Sequence, residues 1–448
     1  MRIDEGLSSL DARERALATR LVLGVVATSG TLDAIIDTHL SARAHLEPRV
    51  RDALRVAAFE LLYLGTPASA AVSQGVELTR RAQPRATGLA NAVLRRIGEK
   101  DEPCIEAARA RVAEGGAAER DLALLAGLPT WLVTRIAADL GPAAARDLAL
   151  AQLEPAPVYV AANLLARTAG EACALLEDAG LEPTPTSLPA CWALGAPAGL
   201  AASGLVTATD VLPADFSAQL VCAIAAPEPG SRMLEVGQGR ATKTLVMEGV
   251  ALQLGGLAHI DGIDVVPHKV RVATRRCEPF LAGWATSTEL DALALATPDV
   301  SAIISDAYDS VLVDAPCSGT GTMRRHPEIP WSLEASMLDA QDPGSLVSLQ
   351  IRMLAAASTR VRPGGTLTYA TCSVLAVEDE DVVEAFLASP QGADFRLASA
   401  LDAPGLATAG SDARALVEAS LTGGAYVKTH PAKGAPDGHF CARMVRVG

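Results

Sequence analysis

The chain has 448 residues, half of them apolar and only 3% aromatic, and it carries a formal net charge of −14. This length allows two or three domains, each with its own core, and the negative charge argues against binding of nucleic acid over the whole surface. The charge is uneven, because residues 1–100 hold 14 Lys and Arg against 11 Asp and Glu. The N-terminal segment is therefore the better candidate for a local basic surface.

The sequence predicts no targeting segment, no membrane-spanning helix and no disulfide framework. No segment approaches twenty uncharged apolar residues, which predicts no membrane-spanning helix, and Asp4 and Glu5 make the start unlike a secretory signal. The eight cysteines include no Cys-x-x-Cys pair, which argues against a zinc site and against a disulfide framework. We therefore expect a cytoplasmic monomer that has no membrane partner and binds no metal.

Residues 9–98 are predicted to form consecutive amphipathic helices. The predicted ranges are 10–27, 31–40, 48–64, 70–82 and 86–97. Ser9 and Thr31 are predicted to cap the first two helices. Arginines along these helices, including Arg95 and Arg96, are candidates for RNA contacts, and ordinary solvated helix faces are the alternative.

This stretch resembles the antitermination factor NusB and the NusB-like domain at the front of some RNA methyltransferases. The most diagnostic run is Ala90-Asn91-Ala92-Val93-Leu94-Arg95-Arg96, and weaker matches lie at 53–55, 60–63, 70–72 and 75–78. The resemblance implies an all-α RNA-binding domain that holds the substrate. We place this domain at residues 1–125.

The pattern changes twice in the rest of the chain. Residues 100–155 are predicted to be helical and connective, and Pro155-Ala156-Pro157 marks a boundary. A strand at 158–162, a helix at 170–179 and a Pro- and Gly-rich stretch at 183–204 predict a small α/β linker domain over residues 126–203. From residue 204 to 448, helical stretches alternate with β-branched strands at 232–236, 262–265, 311–313 and 365–370. This alternation predicts a Rossmann-like α/β domain with a parallel sheet, which binds ligands at the carboxyl ends of its strands.

A glycine-rich turn follows the first of these strands. The run is Glu235-Val236-Gly237-Gln238-Gly239-Arg240-Ala241-Thr242-Lys243-Thr244. Glycines at 237 and 239 allow a sharp turn and the close approach of a ligand, and Asp264 ends the next strand, where a carboxylate can bind both ribose hydroxyls. The turn lacks the third glycine of a dinucleotide site, which favours S-adenosylmethionine, with Glu235 as an additional acid. A plain tight turn is the alternative for the glycines alone.

Two cysteine loops follow two later strands, at Cys317 and at Cys372. One reaction that needs such a thiol is the methylation of cytosine at carbon 5, which is a poor nucleophile. A thiolate that adds to carbon 6 makes carbon 5 enamine-like and able to take a methyl group. The base must then be splayed or flipped out of the RNA. The alternative is that both are buried, inert cysteines. That is what we expect for the other six, Cys104, Cys173, Cys191, Cys222, Cys277 and Cys441.

These loops resemble those of RNA cytosine-5 methyltransferases of the RsmB (Fmu/Sun) type, which act on small-subunit ribosomal RNA. The matching runs are Asp314-Ala315-Pro316-Cys317-Ser318-Gly319-Thr320-Gly321, 324–329, and Tyr369-Ala370-Thr371-Cys372-Ser373-Val374-Leu375 with Glu378, and lesser matches lie at 215–219 and 437–440. The resemblance implies that Cys372 is the nucleophile, that Cys317 assists product release and that Asp314 holds the polar edge of the cytosine. Arg324 and Arg325 are candidates for phosphate contacts, with a charged surface turn as the alternative.

The cofactor loop departs from the family pattern, which usually reads Asp-x-Cys-Ala-Ala-Pro-Gly-Gly-Lys-Thr. Here the Pro-Gly-Gly is missing, while Lys243-Thr244 is kept, so Lys243 joins the candidate cofactor residues. Asp291 is the candidate for the acid that touches the adenine, and Asp306 is the alternative. Three functions stay open: an S-adenosylmethionine-dependent methyltransferase of ribosomal RNA, a non-catalytic RNA-binding or assembly protein, and a methyltransferase of transfer RNA or DNA.

Overall fold

The structure is a computed structural model that describes residues 10–41, 46–116, 118–407, 409–422 and 424–448. The chain divides into two compact units. The first runs up to Pro155 and includes Met323–Leu333, and the second comprises Ala156–Thr322 and Glu334–Gly448. This division differs from the three predicted domains at 1–125, 126–203 and 204–448. Among the described residues no single helix is long and apolar enough to cross a membrane, although two bent helix pairs meet that test when joined.

The first unit is all-α. Its helices are α1 (Ala12–Ala27), α2 (Ser29–Thr38), α3 (Pro48–Tyr63), α4 (Ala68–Ala82), α5 (Thr87–Lys100), α6 (Glu102–Ala113), α7 (Glu119–Ala126), α8 (Thr130–Leu140) and α9 (Pro142–Ala151). Asp11 caps α1 in a reciprocal pair with Glu14, whereas the predicted cap Ser9 lies outside the described residues. The prediction that Thr31 caps α2 is wrong, because Leu32 N already donates to Thr28 O and the helix begins at Ser29.

Helix α7 packs against the same core as α3. Leu124 and Leu125 contact the buried cluster that includes Leu54 and Leu94, and the Tyr63 hydroxyl donates to Leu124 O at 2.9 Å. The unit continues past the predicted domain end at residue 125, and Arg146 Nη2 on α9 donates to Val112 O on α6 at 3.0 Å.

The segment Met323–Leu333 also lies with the helical unit. It contains the short helix α10 (Ile329–Ser332), and Trp331 Nε1 donates to Ala27 O at 2.7 Å. The indole ring occupies the place of a side chain at Gly30, where an added Cβ would lie 2.1 Å from a ring carbon. Gly30 therefore provides the space into which Trp331 packs.

The second unit begins with a small antiparallel sheet. Its elements are β1 (Tyr159–Ala162), α11 (Ala169–Asp178), β2 (Pro183–Pro185), β3 (Cys191–Leu194) and β4 (Val211–Pro213), in the strand order β2-β3-β1-β4. Val160 is paired with Pro213 and Ala161 with Leu212. Because β4 completes this sheet, the small α/β region extends beyond the predicted limit at residue 203.

The larger sheet has helices between its parallel strands. Its elements are α12 (Phe216–Ala225), β5 (Arg232–Val236), α13 (Thr242–Gln253), β6 (His259–Asp264), α14 (Pro267–Leu281), β7 (Ala285–Glu289), β8 (Tyr308–Asp314), α15 (Leu346–Ser358), β9 (Val361–Thr371), α16 (Glu380–Leu387), β10 (Phe395–Ala398), α17 (Ser411–Ala419), β11 (Leu421–Thr422), β12 (Tyr426–Lys428) and β13 (Phe440–Arg446). The strand order is β7-β6-β5-β8-β9-β13-β12-β11, and β10 also pairs with β13.

Strands β5 to β9 are parallel, and β13 returns antiparallel to β9. The predicted Rossmann-like domain is confirmed, but its sheet is mixed because the C-terminal strands extend one edge in antiparallel pairing. The chain passes from β5 to β6 on one side and later returns to β8 on the other. This is the switch point at which such sheets bind ligands, at the carboxyl ends of the strands.

Candidate active site

The two cysteine loops meet at the carboxyl ends of neighbouring strands. Strand β8 ends at Asp314, β9 ends at Thr371, and Ala315 N donates to Ala370 O at 3.0 Å as the loops leave the sheet. The sulfurs of Cys317 and Cys372 lie 3.3 Å apart, and both side chains are half-buried. The structure thus brings together two thiols that the sequence places 55 residues apart.

The surroundings favour the thiolate of Cys372 over that of Cys317. The hydrogen bond with Cys317 lowers the pKa of Cys372, helped by the charge of Lys243 and opposed by burial, Asp314 and Glu378. The same hydrogen bond, together with burial, raises the pKa of Cys317. Since the thiolate is the nucleophilic form of cysteine, these directions agree with the prediction that Cys372 is the nucleophile.

Asp314 and Lys243 form an ion pair beside the cysteines, with Nζ 2.5 Å from Oδ2. Burial acts to lower the pKa of Lys243, but the charge and hydrogen bond of Asp314, together with the charges of Cys222 and Glu235, raise that pKa above its ordinary value. Lys243 therefore stays charged and contacts the carboxylate predicted to hold the base. Both side chains are partly exposed, at 21% for Lys243 and 29% for Asp314.

Two glycines allow the cysteine loops to touch. Gly321 N donates to Cys372 O and Gly438 N donates to Gly321 O, both at 2.9 Å. A Cβ at Gly321 would lie 2.1 Å from Gly438 O and 2.8 Å from Cys372 O. The motifs at 314–321 and 437–440 therefore meet through backbone contacts that have no room for a side chain.

Glu378 and Gln350 are site residues to which the sequence assigned no role. Glu378 was only a motif match, yet Ser318 and Ser373, which follow the two cysteines, both donate to its carboxylate. Gln350 on α15 donates to Pro316 O and to Glu378. No local pattern marks Gln350, because its partners lie in other segments.

The glycine turn combines close packing with an open side. Gly237 has a φ of 83°, and a Cβ there would lie 2.4 Å from Asp314 O. Gly239 has a φ of 62°, and the nearest atom to an added Cβ is Gly237 O at 3.9 Å. Gly237 thus lets β8 approach the turn, while the side at Gly239 leaves room for a ligand.

Asp264 connects this turn to the end of β6. Its Oδ2 accepts from Gly239 N at 3.0 Å and its Oδ1 accepts from Val266 N at 2.8 Å. The neighbouring Val265 is apolar and 65% exposed. An open turn, a carboxylate and an exposed apolar side chain at one strand end fit the ribose and base of a nucleoside, and so fit the nucleoside part of S-adenosylmethionine.

The prediction that Glu235 contacts the cofactor is wrong. Its side chain is fully buried, and it accepts a hydrogen bond from the hydroxyl of Thr244. Burial raises the pKa of Glu235 to about 8. The carboxyl group lies beneath the turn and cannot reach a ligand on its surface, because the packing of α13 over β5 encloses it.

The two candidates for the adenine-contacting acid lie at opposite ends of the strands. Asp291 follows the carboxyl end of β7 and accepts from Leu293 N at 2.9 Å while its residue stays exposed. Asp306 precedes β8 and pairs with Arg360 at 3.3 Å. The alternative Asp306 is therefore excluded, and Asp291 remains the candidate because it shares an edge with Asp264.

The candidate RNA-binding arginines differ in exposure. Arg95 and Arg96 are exposed on α5, as an RNA contact requires. Arg324 is buried and Arg325 half-buried in the segment that lies with the helical unit, and both have partners within the protein. Burial contradicts both interpretations of Arg324, the phosphate contact and the charged surface turn, because its guanidinium group is already enclosed by protein.

The remaining cysteines are mostly inert. Burial raises the pKa of Cys191, Cys277 and Cys441 to about 12, and Cys222 is also buried. The expectation of burial is wrong for the other two, since Cys104 is exposed and Cys173 half-buried. In the part of the chain that the structure describes, no group of three or more His, Cys, Asp or Glu side chains is placed to hold a metal ion.

Comparison with known proteins finds a matching family model for each of the two units. The family model for 16S rRNA methyltransferase RsmB/F matches residues 226–445, and the NusB family model matches residues 3–99. Ribosomal RNA small subunit methyltransferase B of Thermus thermophilus is 31% identical over 84% of this chain and 79% of its own length. The protein of the same name from Salmonella typhi is 30% identical over 88% of this chain and 86% of its own.

Solved structures confirm the fold. The crystal structure of PH0851 matches 98% of this chain and 92% of its own with a TM-score of 0.74 and 20% identity. The structure of NSun6 from Pyrococcus horikoshii with SFG matches 71% of this chain and 98% of its own with a TM-score of 0.57 and 14% identity. At these identities the structural matches support the architecture alone.

Proposed function

Because the chain belongs to the RsmB/F family of 16S rRNA methyltransferases, we propose that it methylates carbon 5 of a cytosine in small-subunit ribosomal RNA through a covalent adduct with Cys372. The 3.3 Å separation of the Cys317 and Cys372 sulfurs carries this proposal. Covalent activation of a pyrimidine requires one thiolate, and the second thiol lies close enough to assist its release.

Cys372 acts on carbon 6 of the base. Its thiolate adds there, which gives carbon 5 the electron density to accept a methyl group. Solvent water accepts the proton from carbon 5, and the electron pair of that C–H bond re-forms the double bond between carbons 5 and 6. The bond between carbon 6 and Cys372 breaks with its electron pair left on sulfur, which restores the aromatic ring. The S–H group of Cys317 hydrogen-bonds to the departing thiolate, and this stabilisation is how Cys317 assists release.

Asp314 and Lys243 orient the base. A carboxylate can accept a hydrogen bond from the exocyclic amino group of cytosine. Asp314 therefore recognises this amino group, which uracil lacks. Lys243 restricts the rotamer of Asp314 through the 2.5 Å contact. The extrahelical base is thereby held with carbon 6 towards Cys372.

The residues Gly237, Gly239, Asp264 and Asp291 would hold S-adenosylmethionine, which supplies the electrophilic methyl group when bound. The structural relative NSun6 was solved with SFG, an S-adenosylmethionine analogue. Asp264 is already fixed by Gly239 N and Val266 N. The retained Asp264 and the open side of the turn at Gly239 favour a functional donor site over the non-catalytic alternative.

The test uses the purified full chain with labelled S-adenosylmethionine and unmethylated small-subunit RNA. We expect 5-methylcytosine from the wild type, none from Cys372→Ala, and a denaturation-resistant protein–RNA adduct from Cys317→Ala. Cys104→Ala is the matched control, since it removes an exposed thiol outside the site. Full activity of Cys372→Ala would refute the mechanism, and stronger labelling of transfer RNA or DNA would reassign the substrate.

A further inference from the structure

Glu378 bonds to both cysteine loops through a single carboxylate. Oε1 accepts from Ser318 N at 2.7 Å and from Gln350 Nε2 at 3.1 Å. Oε2 accepts from the hydroxyl of Ser373 at 2.6 Å and from the hydroxyl of Ser318. Since Ser318 follows Cys317 and Ser373 follows Cys372, each loop is attached within one residue of its sulfur.

We propose that Glu378 is a positioning residue that holds the sulfurs of Cys317 and Cys372 in register for catalysis, acting through Ser318 and Ser373. The catalytic part of this inference rests on the proposed function, whereas its geometric part concerns only the distance between two thiols. The carboxylate touches neither sulfur directly, so its effect is exerted through the backbone that carries them.

The burial of Glu378 makes these hydrogen bonds difficult to break. The side chain is fully buried, and among the residues that the structure describes no Lys or Arg forms an ion pair with it. Its charge is therefore stabilised by neutral donors from the two loops and from α15. A loop that moved away would leave a buried carboxylate oxygen without its donor, which is strongly unfavourable. Both loops are thereby held against the same group.

The charge of Glu378 does not activate the thiols. It raises the pKa of Cys317 and of Cys372, which disfavours the thiolate. The charged and titratable groups that face the two sulfurs or lie against Glu378 are Asp314, Lys243, Tyr369 and Asp379 together with the cysteines themselves. Of these, Lys243 favours the Cys372 thiolate. Glu378 opposes thiolate formation but bridges both loops, so we infer that it contributes to catalysis by positioning the two cysteines.

Glu378 disfavours the thiolate but holds the loops in position, and these opposite effects distinguish a positioning role from a general structural role. In Glu378→Gln the negative charge is lost while the size and some hydrogen bonds of the side chain remain. The pKa of Cys372 should fall, and alkylation of Cys372 by iodoacetamide at neutral pH should become faster. Methyl transfer should nevertheless become slower, because a neutral amide at position 378 binds the donors of the two loops less strongly than the carboxylate does. A merely structural contact would not change the two rates in opposite directions.

The experiment compares Glu378→Ala, Glu378→Gln, Ser318→Ala and Ser373→Ala in the full chain. Register is measured as the yield of the Cys317–Cys372 disulfide after oxidation by diamide, mapped by peptide mass spectrometry. Diamide takes up two electrons and two protons as the disulfide forms, so this measurement needs no RNA. Glu248→Gln is the control, because Glu248 is a fully buried carboxylate on α13 that accepts from Ala258 N and contacts neither loop.

We expect Glu378→Ala to lower the disulfide yield and to reduce kcat on the order of 100-fold with little change in KM, since displacement of reacting groups by about 1 Å has effects of that size. Glu378→Gln should fall between the wild type and Glu378→Ala. If Glu378→Ala does not fold, Ser318→Ala and Ser373→Ala decide, because each removes a hydroxyl donor on one loop.

The inference is overturned if the Glu378 or serine variants keep wild-type disulfide yield and kcat while losing only thermal stability. Failure of the proposed function gives a different result. In that case the wild type methylates no cytosine, but the disulfide yield still falls in Glu378→Ala, and the geometric part of the inference stands.

Discussion

Replacement of Gly321 by Ala tests whether close contact between the loops builds the site. A new Cβ would lie 2.1 Å from Gly438 O and 2.8 Å from Cys372 O. Both neighbours are backbone atoms, which cannot rotate away as a side chain can. The two loops must separate by roughly 1 Å or more to reach ordinary van der Waals distances, and this shift moves the backbone of Cys372 itself.

The magnitude follows from the contacts that are lost. Overpacking of a close contact is unfavourable by about 1–3 kcal/mol. The bonds from Gly321 N to Cys372 O and from Gly438 N to Gly321 O contribute about 1 kcal/mol each. We therefore expect the second unit to lose roughly 3–5 kcal/mol of unfolding free energy, and kcat to fall on the order of 100-fold.

Urea unfolding and single-turnover methyl transfer measure the two effects. Gly170→Ala is the matched control, because Gly170 lies in α11 at negative φ with no atom within 4 Å of an added Cβ. It should stabilise the protein by about 0.5–1 kcal/mol. If Gly321→Ala leaves stability and kcat unchanged, the contact between the loops is not a determinant of the site.

Three further predictions concern other parts of the molecule. Burial raises the pKa of Glu235 to about 8 from an ordinary 4.5, so the stabilisation by its protonated form is complete below pH 4.5 and disappears as the pH rises towards 8. Urea unfolding at pH 6 and pH 9 should therefore show a loss on the order of a few kcal/mol in the wild type and a smaller loss in Glu235→Gln, and equal losses would contradict this account. Asp264→Ala should weaken S-adenosylmethionine binding by about tenfold or more in titration calorimetry, because it removes the carboxylate that holds Gly239 N; unchanged affinity would exclude Asp264 from the donor site. Tyr63→Phe should destabilise the helical unit by about 1 kcal/mol in thermal unfolding, since it removes the 2.9 Å bond to Leu124 O, and an unchanged melting curve would show that this bond does not stabilise the packing of α7 on α3.

The predicted and observed strands agree best where the apolar pattern is local and strong. Strand β5 has the predicted bounds, Arg232–Val236. Strands β6, β8 and β9 begin earlier than predicted, because pairing with their neighbours extends them beyond their apolar centres. Strand β7 was not predicted, since its sequence, Ala285-Thr286-Ser287-Thr288-Glu289, has no apolar alternation and it is a strand only because it pairs with β6.

The site residues also divide into those that the sequence identifies and those that depend on the tertiary structure. Asp314, Cys317 and Cys372 could be identified from the sequence because each lies in a short motif at the end of an apolar strand. The burial of Glu235 and Arg324 could not, because it depends on which segments cover these side chains. The same limit applies to Gln350, whose partners Pro316 and Glu378 belong to other elements.

The sequence alone determined that this chain has a helical front, a Rossmann-like domain and two cysteine loops at strand ends, because helix and strand periodicity and motif spacing are encoded over a few residues. The tertiary structure decided that the two sulfurs lie 3.3 Å apart and that Glu378 bonds to Ser318, 60 residues away. The physical reason is that the protonation, burial and register of these groups depend on distant segments that meet only when the sheet has assembled.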